Sequence, residues 1–428
     1  MDGPIRVYFL AHQLGRFVSD FGALPRYLTR RGIAATVFVP EHPRTIRAGW
    51  SRPDQIAASR RRLPESTDVR QLPFDREALS LSALLRTAWV VYRVAQKSVA
   101  AAYVLCGFVP NVVCGLPLRL LDRPCVFLVT GLGSAFDAPT WRRRWSRFAA
   151  ASLYRYLFAG KNSRVIVHNH EDRDYLVHEL HVARWRVEVT PGCGVDPEEY
   201  PWLPPPPPRS RKIVLVPVRL LKEKGVLDAA AASARLRARG IDHEMWFSCS
   251  VDPGNPSSLT EPEIEALKRD IPTIRFVGYQ PTTQPLYAQC DVVLIPTRYR
   301  EGLPTAILEA AACGRPIVAT DNVGCREFVE DGRTGLLVSP GDPEDMAQAL
   351  SRLLTDHDLA EDLRRDAYQK FLSGYTKAVM VKKTMDTLAA LGVPLRRRPE
   401  SDRASRPVPP RLQASPAGEI HLHTGSTR

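Results

Sequence analysis

Two glutamates, Glu301 and Glu309, stand eight residues apart in a segment that joins a predicted strand to a predicted helix. An apolar run at residues 291–296 predicts a buried strand, and the turn after it carries Glu301. Pro304 suits the first turn of the next helix, which places Glu309 about one turn inside that helix. The free N–H groups of a helix N-terminus favour phosphate, whereas carboxylates accept hydrogen bonds from hydroxyl groups. The pattern therefore favours a ligand that carries both groups, such as a sugar nucleotide.

The elements that must position these glutamates form a strand–turn–helix–strand unit. Residues 306–313 are rich in helix formers, Gly314 supplies the stop, and residues 317–319 predict the next buried strand. Such a crossover belongs to a parallel sheet, and open α/β sheets bind ligands at the carboxyl ends of their strands. The turn at Glu301 lies at such an end. The alternative interpretation of the two glutamates is a solvated helix face, because helices carry many glutamates.

The segment 299–327, YREGLPTAILEAAACGRPIVATDNVGCRE, resembles the donor-binding signature of the retaining GT-B glycosyltransferases of family 4. It is most similar to the branch that works on polyprenyl-diphosphate-linked saccharides in bacteria. The resemblance implies that Glu309 holds the ribose hydroxyls of the donor nucleotide and that Glu301 holds the donor sugar. The other donor-binding residues that it implies are Gly302, Leu303, Pro304 and Thr305, with Gly278 and Tyr279 at the nucleotide base.

Two cations, Arg219 and Lys224, follow a predicted strand at residues 213–218 and precede a predicted helix. The family pattern there is an Arg followed after a few residues by Lys-Gly, so the resemblance assigns both cations to the donor diphosphate. Two cations at a helix N-terminus would neutralise the departing diphosphate as the glycosidic bond breaks. Arg219, Lys224 and Glu301 are therefore the predicted catalytic residues, with Lys222 as a solvated neighbour.

The first half of the chain begins with a strand pattern, a turn at residues 12–19 and a helix at residues 20–31. His12 and Gly15 lie in this turn, where many GT-B enzymes carry a Gly-Gly pair that faces the acceptor and the donor phosphates. The resemblance therefore places both on the acceptor side, and His12 is either catalytic or an ordinary turn histidine. Residues 43–76 are rich in Arg and Pro with little periodicity and are predicted to be loop.

Two further turns belong to the predicted acceptor side. Gly131 and Gly133 follow a predicted strand at residues 125–130, at a point where many family members place a histidine. This chain has Thr130 there, so a conventional general base is not expected. Asn169, after another short strand, either faces the cleft or caps the next helix.

The predicted fold class is α/β with the GT-B arrangement, in which two doubly wound Rossmann-like domains face each other across a cleft. Consecutive prolines at residues 204–208 favour a stiff spacer between the two. The predicted parts are an acceptor-side domain at residues 1–200, a proline-rich linker at 201–212, a donor-nucleotide domain at 213–375 and a disordered basic tail at 393–428. The resemblance implies that the helix between the last two, at 376–392, crosses back to the first domain.

The net charge of +13 and a pI near 9.5 favour an anionic partner. No zinc-finger, RNP or helix-turn-helix signature is present, which disfavours nucleic acid and favours the anionic inner membrane surface. A helical pattern at residues 141–161 mixes Trp, Tyr and Arg as interfacial helices do, although a core-packed helix with a solvated Arg face also fits. Residues 99–118 carry no charge, but Gly and Pro interrupt them, so they predict strand, turn and helix instead of a membrane span.

The eight cysteines have no Cys-x-x-Cys spacing, and several lie within apolar patterns. In a chain of this length they are expected to be buried small side chains in a reducing compartment, forming neither disulfides nor a zinc site. The N-terminus lacks the basic and apolar regions of a secretory signal. The predicted location is cytoplasmic, with peripheral association to the inner membrane.

The resemblance implies a retaining transferase that moves a hexose or N-acetylhexosamine from a UDP-sugar to a lipid-linked saccharide in bacterial surface polysaccharide biosynthesis. No Asp-x-Asp motif stands at a strand end and no His/Asp cluster has metal spacing, so neither a metal nor a cofactor is expected. Retention in this family is pictured as front-face attack, in which the leaving phosphate takes the acceptor proton. Two alternatives remain: another GT-B enzyme such as a nucleotide-sugar epimerase, or a non-catalytic scaffold at the membrane.

Overall fold

A computed structural model of the chain describes residues 5–40, 53–73, 80–98, 101–132, 141–249, 251–252, 255–280 and 282–395. Two parallel sheets organise these residues. The strands of the first sheet are β1 (Arg6–Ala11), β2 (Ala34–Pro40), β3 (Asp68–Leu72), β4 (Ala102–Cys106), β5 (Cys125–Val129), β6 (Ser163–Val167) and β7 (Val187–Val189). The strands of the second sheet are β8 (Lys212–Val216), β9 (His243–Phe247), β10 (Ile274–Phe276), β11 (Val292–Ile295), β12 (Ile317–Thr320) and β13 (Leu336–Val338).

Each sheet is wound outwards from its first strand in both directions. The order of the first sheet is β3-β2-β1-β4-β5-β6-β7, and that of the second is β10-β9-β8-β11-β12-β13. The winding direction reverses between β1 and β4 and between β8 and β11, the places where doubly wound sheets bind ligands. The prediction of two doubly wound Rossmann-like sheets is confirmed.

Helices fill the connections and cover both faces of the first sheet. They are α1 (Leu14–Phe21), α2 (Ala23–Thr29), α3 (Pro53–Arg61), α4 (Leu81–Lys97), α5 (Gly115–Leu120), α6 (Trp141–Phe158), α7 (His170–His178), α8 (Val226–Ala238), α9 (Glu261–Asp270), α10 (Gln284–Gln289), α11 (Thr305–Ala312), α12 (Val323–Arg326), α13 (Pro343–Thr355), α14 (His357–Gly374) and α15 (Lys377–Ala389). A short π-helix (Pro110–Cys114) precedes α5, and 3₁₀ turns occupy Arg184–Arg186 and Lys222–Lys224.

The inner strands are apolar at every position because helices cover both faces of the sheets. β4, β5, β11 and β12 are buried along their whole lengths, which explains why continuous apolar runs predicted them. In the uncharged segment at 99–118, the described residues from 101 onwards contain β4, the π-helix and the start of α5. Among the described helices, none is both long and apolar enough to cross a membrane. All eight cysteines are free thiols, and seven of them are buried.

The predicted turn at residues 12–19 is wrong, because α1 begins at Leu14. Leu14, Phe17 and Phe21 recur at helical spacing and are buried against the first sheet, so the segment gains more apolar burial as a helix than as a turn. Gly15 therefore lies inside a helix. The predicted helix at 20–31 is divided at Gly22, where α1 ends and α2 follows.

The prediction of loop at residues 43–76 is also wrong where that segment is described. It contains α3 and the edge strand β3. Three of the five residues of β3 are exposed, because an edge strand has a neighbour on one side only. Such a strand shows no continuous apolar run, which is why periodicity did not identify it. The segments 41–52 and 74–79 lie outside the described residues.

The chain returns to the first sheet at its last described helix. Met380, Val381, Met385 and Leu388 of α15 are buried in the core cluster that also contains residues of β1, α1 and α2. The resemblance implied a helix at 376–392, and α15 lies within those residues. Of the predicted tail at 393–428, the part beyond residue 395 lies outside the described residues.

Candidate active site

An ion pair between Lys224 and Glu301 joins the loops that follow β8 and β11. These strands are neighbours in the second sheet, so their carboxyl ends lie side by side. Gly225 has a φ of +71°, and a Cβ there would overlap the carbonyl oxygen of Pro296, so glycine is required for the loops to approach so closely. Lys224 Nζ lies 2.5 Å from Glu301 Oε2, and both side chains are largely buried.

The environment of Glu301 keeps its carboxyl group ionised. Burial acts to raise the pKa of Glu301, but the charge and hydrogen bond of Lys224 outweigh burial, and the pKa lies below its usual value. A hydrogen bond from Thr297 and the charge of Arg219 act in the same direction. Glu301 therefore offers carboxylate oxygens, the hydrogen-bond acceptors that sugar hydroxyls require.

Arg219 lies beside this pair, in the loop between β8 and the 3₁₀ turn. Its Nη1 atom is 3.9 Å from Asp252 Oδ2, and its side chain remains partly exposed. Its charge contributes to the low pKa of Glu301, so Arg219 is near enough to the Lys224–Glu301 pair to act on it electrostatically. Lys222, in contrast, forms an exposed pair with Glu263. Within the ranges that the structure describes, no group of three or more His, Cys, Asp or Glu residues is placed to hold a metal ion.

Glu309 is a half-buried residue of α11 that faces α10, so the alternative of a solvated helix face is wrong. Its carboxylate accepts hydrogen bonds from Tyr287 Oη at 2.9 Å and from Thr283 Oγ1 at 3.1 Å. Burial raises the pKa of Glu309, although these two hydrogen bonds act against the change. Glu309 thus contacts α10 and the residue before it, whereas Glu301 pairs with Lys224.

The other predicted donor-binding residues lie at strand ends of the second sheet. Gly278 and Tyr279 follow β10 at the edge of the sheet, and the ring of Tyr279 is exposed. Gly302, Leu303 and Pro304 are buried in the turn before α11, and Thr305 is the first residue of that helix. Pro304 thus occupies the position just before the helix, one residue earlier than a first-turn proline.

Two loops of the first sheet contact the turn that carries Glu301. A Cβ at Gly131 would lie 2.7 Å from the backbone nitrogen of Gly302, and a Cβ at Gly302 would lie 2.5 Å from the carbonyl oxygen of Thr130. The side-chain amide of Asn169 donates a hydrogen bond to the carbonyl oxygen of Gly302 at 2.8 Å. Asn169 Oδ1 also accepts from the backbone N–H of Asp172, so this residue both caps α7 and faces the opposite sheet.

The remaining acceptor-side predictions have mixed outcomes. His12 directly follows β1 and is half-buried. A Cβ at Gly107 would lie 3.6 Å from the Nδ1 atom of His12. Gly15 faces Ser59 of α3 from within α1, so it contributes no turn to the site. Gly133 lies outside the described residues.

Two residues that sequence reasoning missed lie close to Glu301. Arg16 of α1 donates a hydrogen bond to Asp20 at 2.5 Å, and the charge of Asp20, with a smaller effect from Glu301, raises the pKa of Arg16. His168 directly follows β6 and is 2% exposed, and a Cβ at Gly302 would lie 3.0 Å from the Cβ of His168. An Arg followed four residues later by an Asp signals a helical pair, but only once the helix is known to begin at residue 14.

His168 should make the stability of the protein depend on pH in the acidic range. Burial, and then the charge of Arg16, lower the pKa of His168 from 6.5 to about 4. The unfolded chain therefore binds a proton between these values while the folded protein does not, so stability should fall as the pH is lowered through this window. The shift corresponds to a loss of ~3 kcal/mol. Chemical denaturation of wild type and His168→Gln between pH 7.5 and pH 4 measures this, and equal slopes in the two proteins would contradict it.

Two ion pairs and one histidine–carboxylate contact join α7 to loops of the second sheet. They are Asp172–Arg300 at 2.8 Å, Glu171–Arg326 at 3.0 Å and His170–Glu327 at 2.9 Å. Asp172 is fully buried, whereas Glu171 and Arg326 are exposed. The Asp172–Arg300 pair adjoins Glu301, so it fixes the turn on which the candidate site depends.

The sequence pattern of the family described as "Glycosyl transferases group 1" matches residues 211–356. An N,N'-diacetylbacillosaminyl-diphospho-undecaprenol alpha-1,3-N-acetylgalactosaminyltransferase of Campylobacter jejuni is 26% identical over 258 residues, which cover 57% of this chain and 65% of the relative. An alpha-D-kanosaminyltransferase of Streptomyces kanamyceticus is 35% identical over 157 residues, which cover 37% of this chain and 40% of the relative. The matched parts thus span between 40% and 65% of the length of these relatives.

Solved structures share the arrangement of the two sheets. Anabaena HepE, solved in complex with UDP and glucose, superposes with a TM-score of 0.70 at 17% identity, covering 90% of this chain and 100% of the other. A sucrose-phosphate synthase from Thermosynechococcus elongatus superposes with a TM-score of 0.70 at 16% identity, covering 91% of this chain and 99% of the other. At such identities the likeness shows a common fold.

Proposed function

We propose that this protein is a glycosyltransferase that uses a nucleotide-sugar donor, because residues 211–356 match the glycosyl transferases group 1 pattern and the two sheets share the GT-B fold. The observation that carries the proposal is the Lys224–Glu301 pair, with Arg219 acting on it electrostatically, at the neighbouring carboxyl ends of β8 and β11. Cations suit phosphate oxygens, and a carboxylate suits sugar hydroxyls. Together they match a diphosphate with a sugar attached to it.

Donor binding would exchange the partners of the Lys224–Glu301 pair. The diphosphate would take Lys224 and Arg219, while hydroxyls of the sugar would take Glu301. The negative charge that develops on the leaving diphosphate would then be neutralised by groups already in place, at roughly 3 kcal/mol for each donor in comparable sites. Since these cations can do the work of a metal ion, transfer should continue in the presence of a chelator.

The donor that we propose is a UDP-hexose or UDP-N-acetylhexosamine. Glu309 would hold the ribose hydroxyls, and Gly278 and Tyr279 would lie at the base. The support is that Anabaena HepE was solved with UDP-glucose and that the Campylobacter relative is named as an N-acetylgalactosaminyltransferase.

We propose that the anomeric configuration of the sugar is retained. The acceptor oxygen would attack the anomeric carbon from the face that the diphosphate leaves, and its proton would pass to an oxygen of the leaving phosphate. The first sheet would supply the acceptor side through Gly131 and Asn169. Two observations fit the leaving phosphate as the base. Thr130 stands where related enzymes have a histidine, and the low pKa of His168, about 4, makes it a weak base.

The acceptor that we propose is a lipid-linked saccharide at the cytoplasmic face of the inner membrane, in bacterial surface polysaccharide biosynthesis. The protein would associate with that membrane peripherally. The name of the Campylobacter relative, which includes a diphospho-undecaprenol substrate, and the net charge of +13 support this choice.

Radiolabelled UDP- and GDP-sugars, each incubated with and without a polyprenyl-diphosphate-linked saccharide, test the proposal. We expect label from a UDP-sugar to enter the organic phase only when the acceptor is present, with or without a chelator. An NMR spectrum of the product should show the anomeric configuration of the donor. A new sugar released without acceptor would favour an epimerase, and the absence of both turnover and nucleotide binding would favour a scaffold.

A further inference from the structure

Three helices, α4, α5 and α6, cover one face of the first sheet. Their inner side chains, among them Val91, Leu118 and Tyr154, share one core cluster with β1, β4 and β5. Seven large hydrophobic side chains on these helices are between 41% and 72% exposed: Leu81, Leu85, Trp89, Leu116, Leu120, Phe148 and Tyr156. We call the outer surface that they form the α4–α6 face.

Exposed hydrophobic side chains are concentrated on this face. The described part of the chain has twelve large ones, and seven of them lie here. Single exposed hydrophobic residues are ordinary, whereas grouped ones mark a surface that binds a partner. Leu81, Leu85 and Trp89 recur every four residues, so they form one stripe along the exposed side of α4. The stripe makes α4 apolar on both its inner and its outer side.

The charge of these helices has one sign. Their sequences contain no Asp or Glu and nine Arg or Lys residues, three on α4, one on α5 and five on α6. Described cations lie next to the apolar groups: the guanidinium of Arg93 is 5.7 Å from the Trp89 ring centroid, and that of Arg119 is 5.2 Å from the Tyr156 ring centroid. Aromatic and aliphatic side chains interleaved with cations are typical of helices that lie on anionic lipid.

The topology places part of this face near the candidate site. α4 follows β3 and leads to β4 in the same parallel sheet, so it runs back from the carboxyl edge of the sheet and begins at that edge. Leu81 and Leu85 belong to its first two turns. The loops that contain Gly131 and Asn169 leave strands at this same edge.

From these observations we propose that the α4–α6 face docks on an anionic lipid bilayer, with Leu85 and Trp89 entering the interface. The occupant is a leaflet rich in anionic headgroups, because the face combines apolar side chains with positive charge alone. The docking deepens the proposed function, and the identity of the acceptor is taken from that function. A bilayer on this face would lie at the edge from which a lipid-linked saccharide can reach the acceptor side.

Cosedimentation of the full chain with vesicles tests the docking. Wild type should bind vesicles that contain phosphatidylglycerol and phosphatidylcholine, bind phosphatidylcholine alone weakly, and lose binding as salt is added. Leu85→Gln/Trp89→Gln should bind the anionic vesicles ~10-fold or more weakly, because two side chains that enter the interface are lost. The matched control is Leu372→Gln/Trp185→Gln, which also replaces one exposed leucine and one exposed tryptophan, outside this face. The control should bind as wild type does.

Equal binding by the two double variants, or equal binding of wild type to neutral and anionic vesicles, would overturn the docking. A wild-type dimer that only the Leu85/Trp89 variant converts to monomer, without a change in vesicle binding, would assign the face to a second copy of the chain. Binding of the donor nucleotide, measured by calorimetry, should be the same in wild type and in Leu85→Gln/Trp89→Gln. If vesicle binding depends on this face but no acceptor is ever glycosylated, the docking stands and the proposed function fails.

Discussion

Replacing Lys224 by alanine should lower kcat/KM for sugar transfer by ~10²- to 10³-fold, the loss expected when one donor to developing charge is removed. Lys224 is the cation that already pairs with Glu301 at 2.5 Å, and its side chain is 10% exposed. Little water can replace it, so the leaving diphosphate would lose a charge partner that the solvent cannot supply. Initial rates measured over a range of donor concentrations separate the effect on kcat from that on KM.

Lys222→Ala is the matched control, because the same residue type is removed two positions away. Lys222 lies in the same 3₁₀ turn, but it forms an exposed pair with Glu263. We expect this variant to keep the kcat/KM of the wild type. Equal losses in both variants would indicate that the turn as a whole matters and that Lys224 has no special role.

Arg300→Met should destabilise the protein by about 3 kcal/mol at neutral pH. Asp172 is fully buried and 2.8 Å from Arg300, so the variant leaves a buried carboxylate without its cation. Burial raises the pKa of Asp172, and Arg300 offsets only part of this rise. The loss should therefore be greatest at neutral pH and shrink as the pH falls and Asp172 takes up a proton. Thermal denaturation at several pH values measures it.

The neighbouring pair of Arg326 and Glu171 provides the control, since it also joins α7 to the second sheet but is exposed on both sides. Arg326→Met should cost ~1 kcal/mol or less. The double variant Arg300→Met/Asp172→Asn should recover part of the stability, because it removes the buried charge with its partner. Similar losses for Arg300→Met and Arg326→Met would show that burial does not govern these contacts.

The strand pattern of the second sheet could be predicted because its strands are buried on both faces and read as continuous apolar runs. The same argument failed at α1 and β3. A glycine and a histidine near Leu14 suggested a turn, and only packing against the first sheet makes the segment helical. β3 is an edge strand with exposed side chains, so its pattern carries no apolar run.

The sequence by itself determined which residues could serve the candidate site. Arg219, Lys224 and Glu301 each follow a strand of one parallel sheet, and the carboxyl ends of parallel strands meet at one edge, so their approach follows from chain order. Only the tertiary structure decided which residues contact and support the site. Glu309 accepts a hydrogen bond from Tyr287, Arg300 pairs with Asp172, and Gly131 packs against Gly302. The two residues of each contact are too far apart in the sequence for a local pattern to predict it. The physical reason is that such contacts depend on how helices pack on their own sheet and on how the two sheets pack together, which is set by many side chains and not by any one segment.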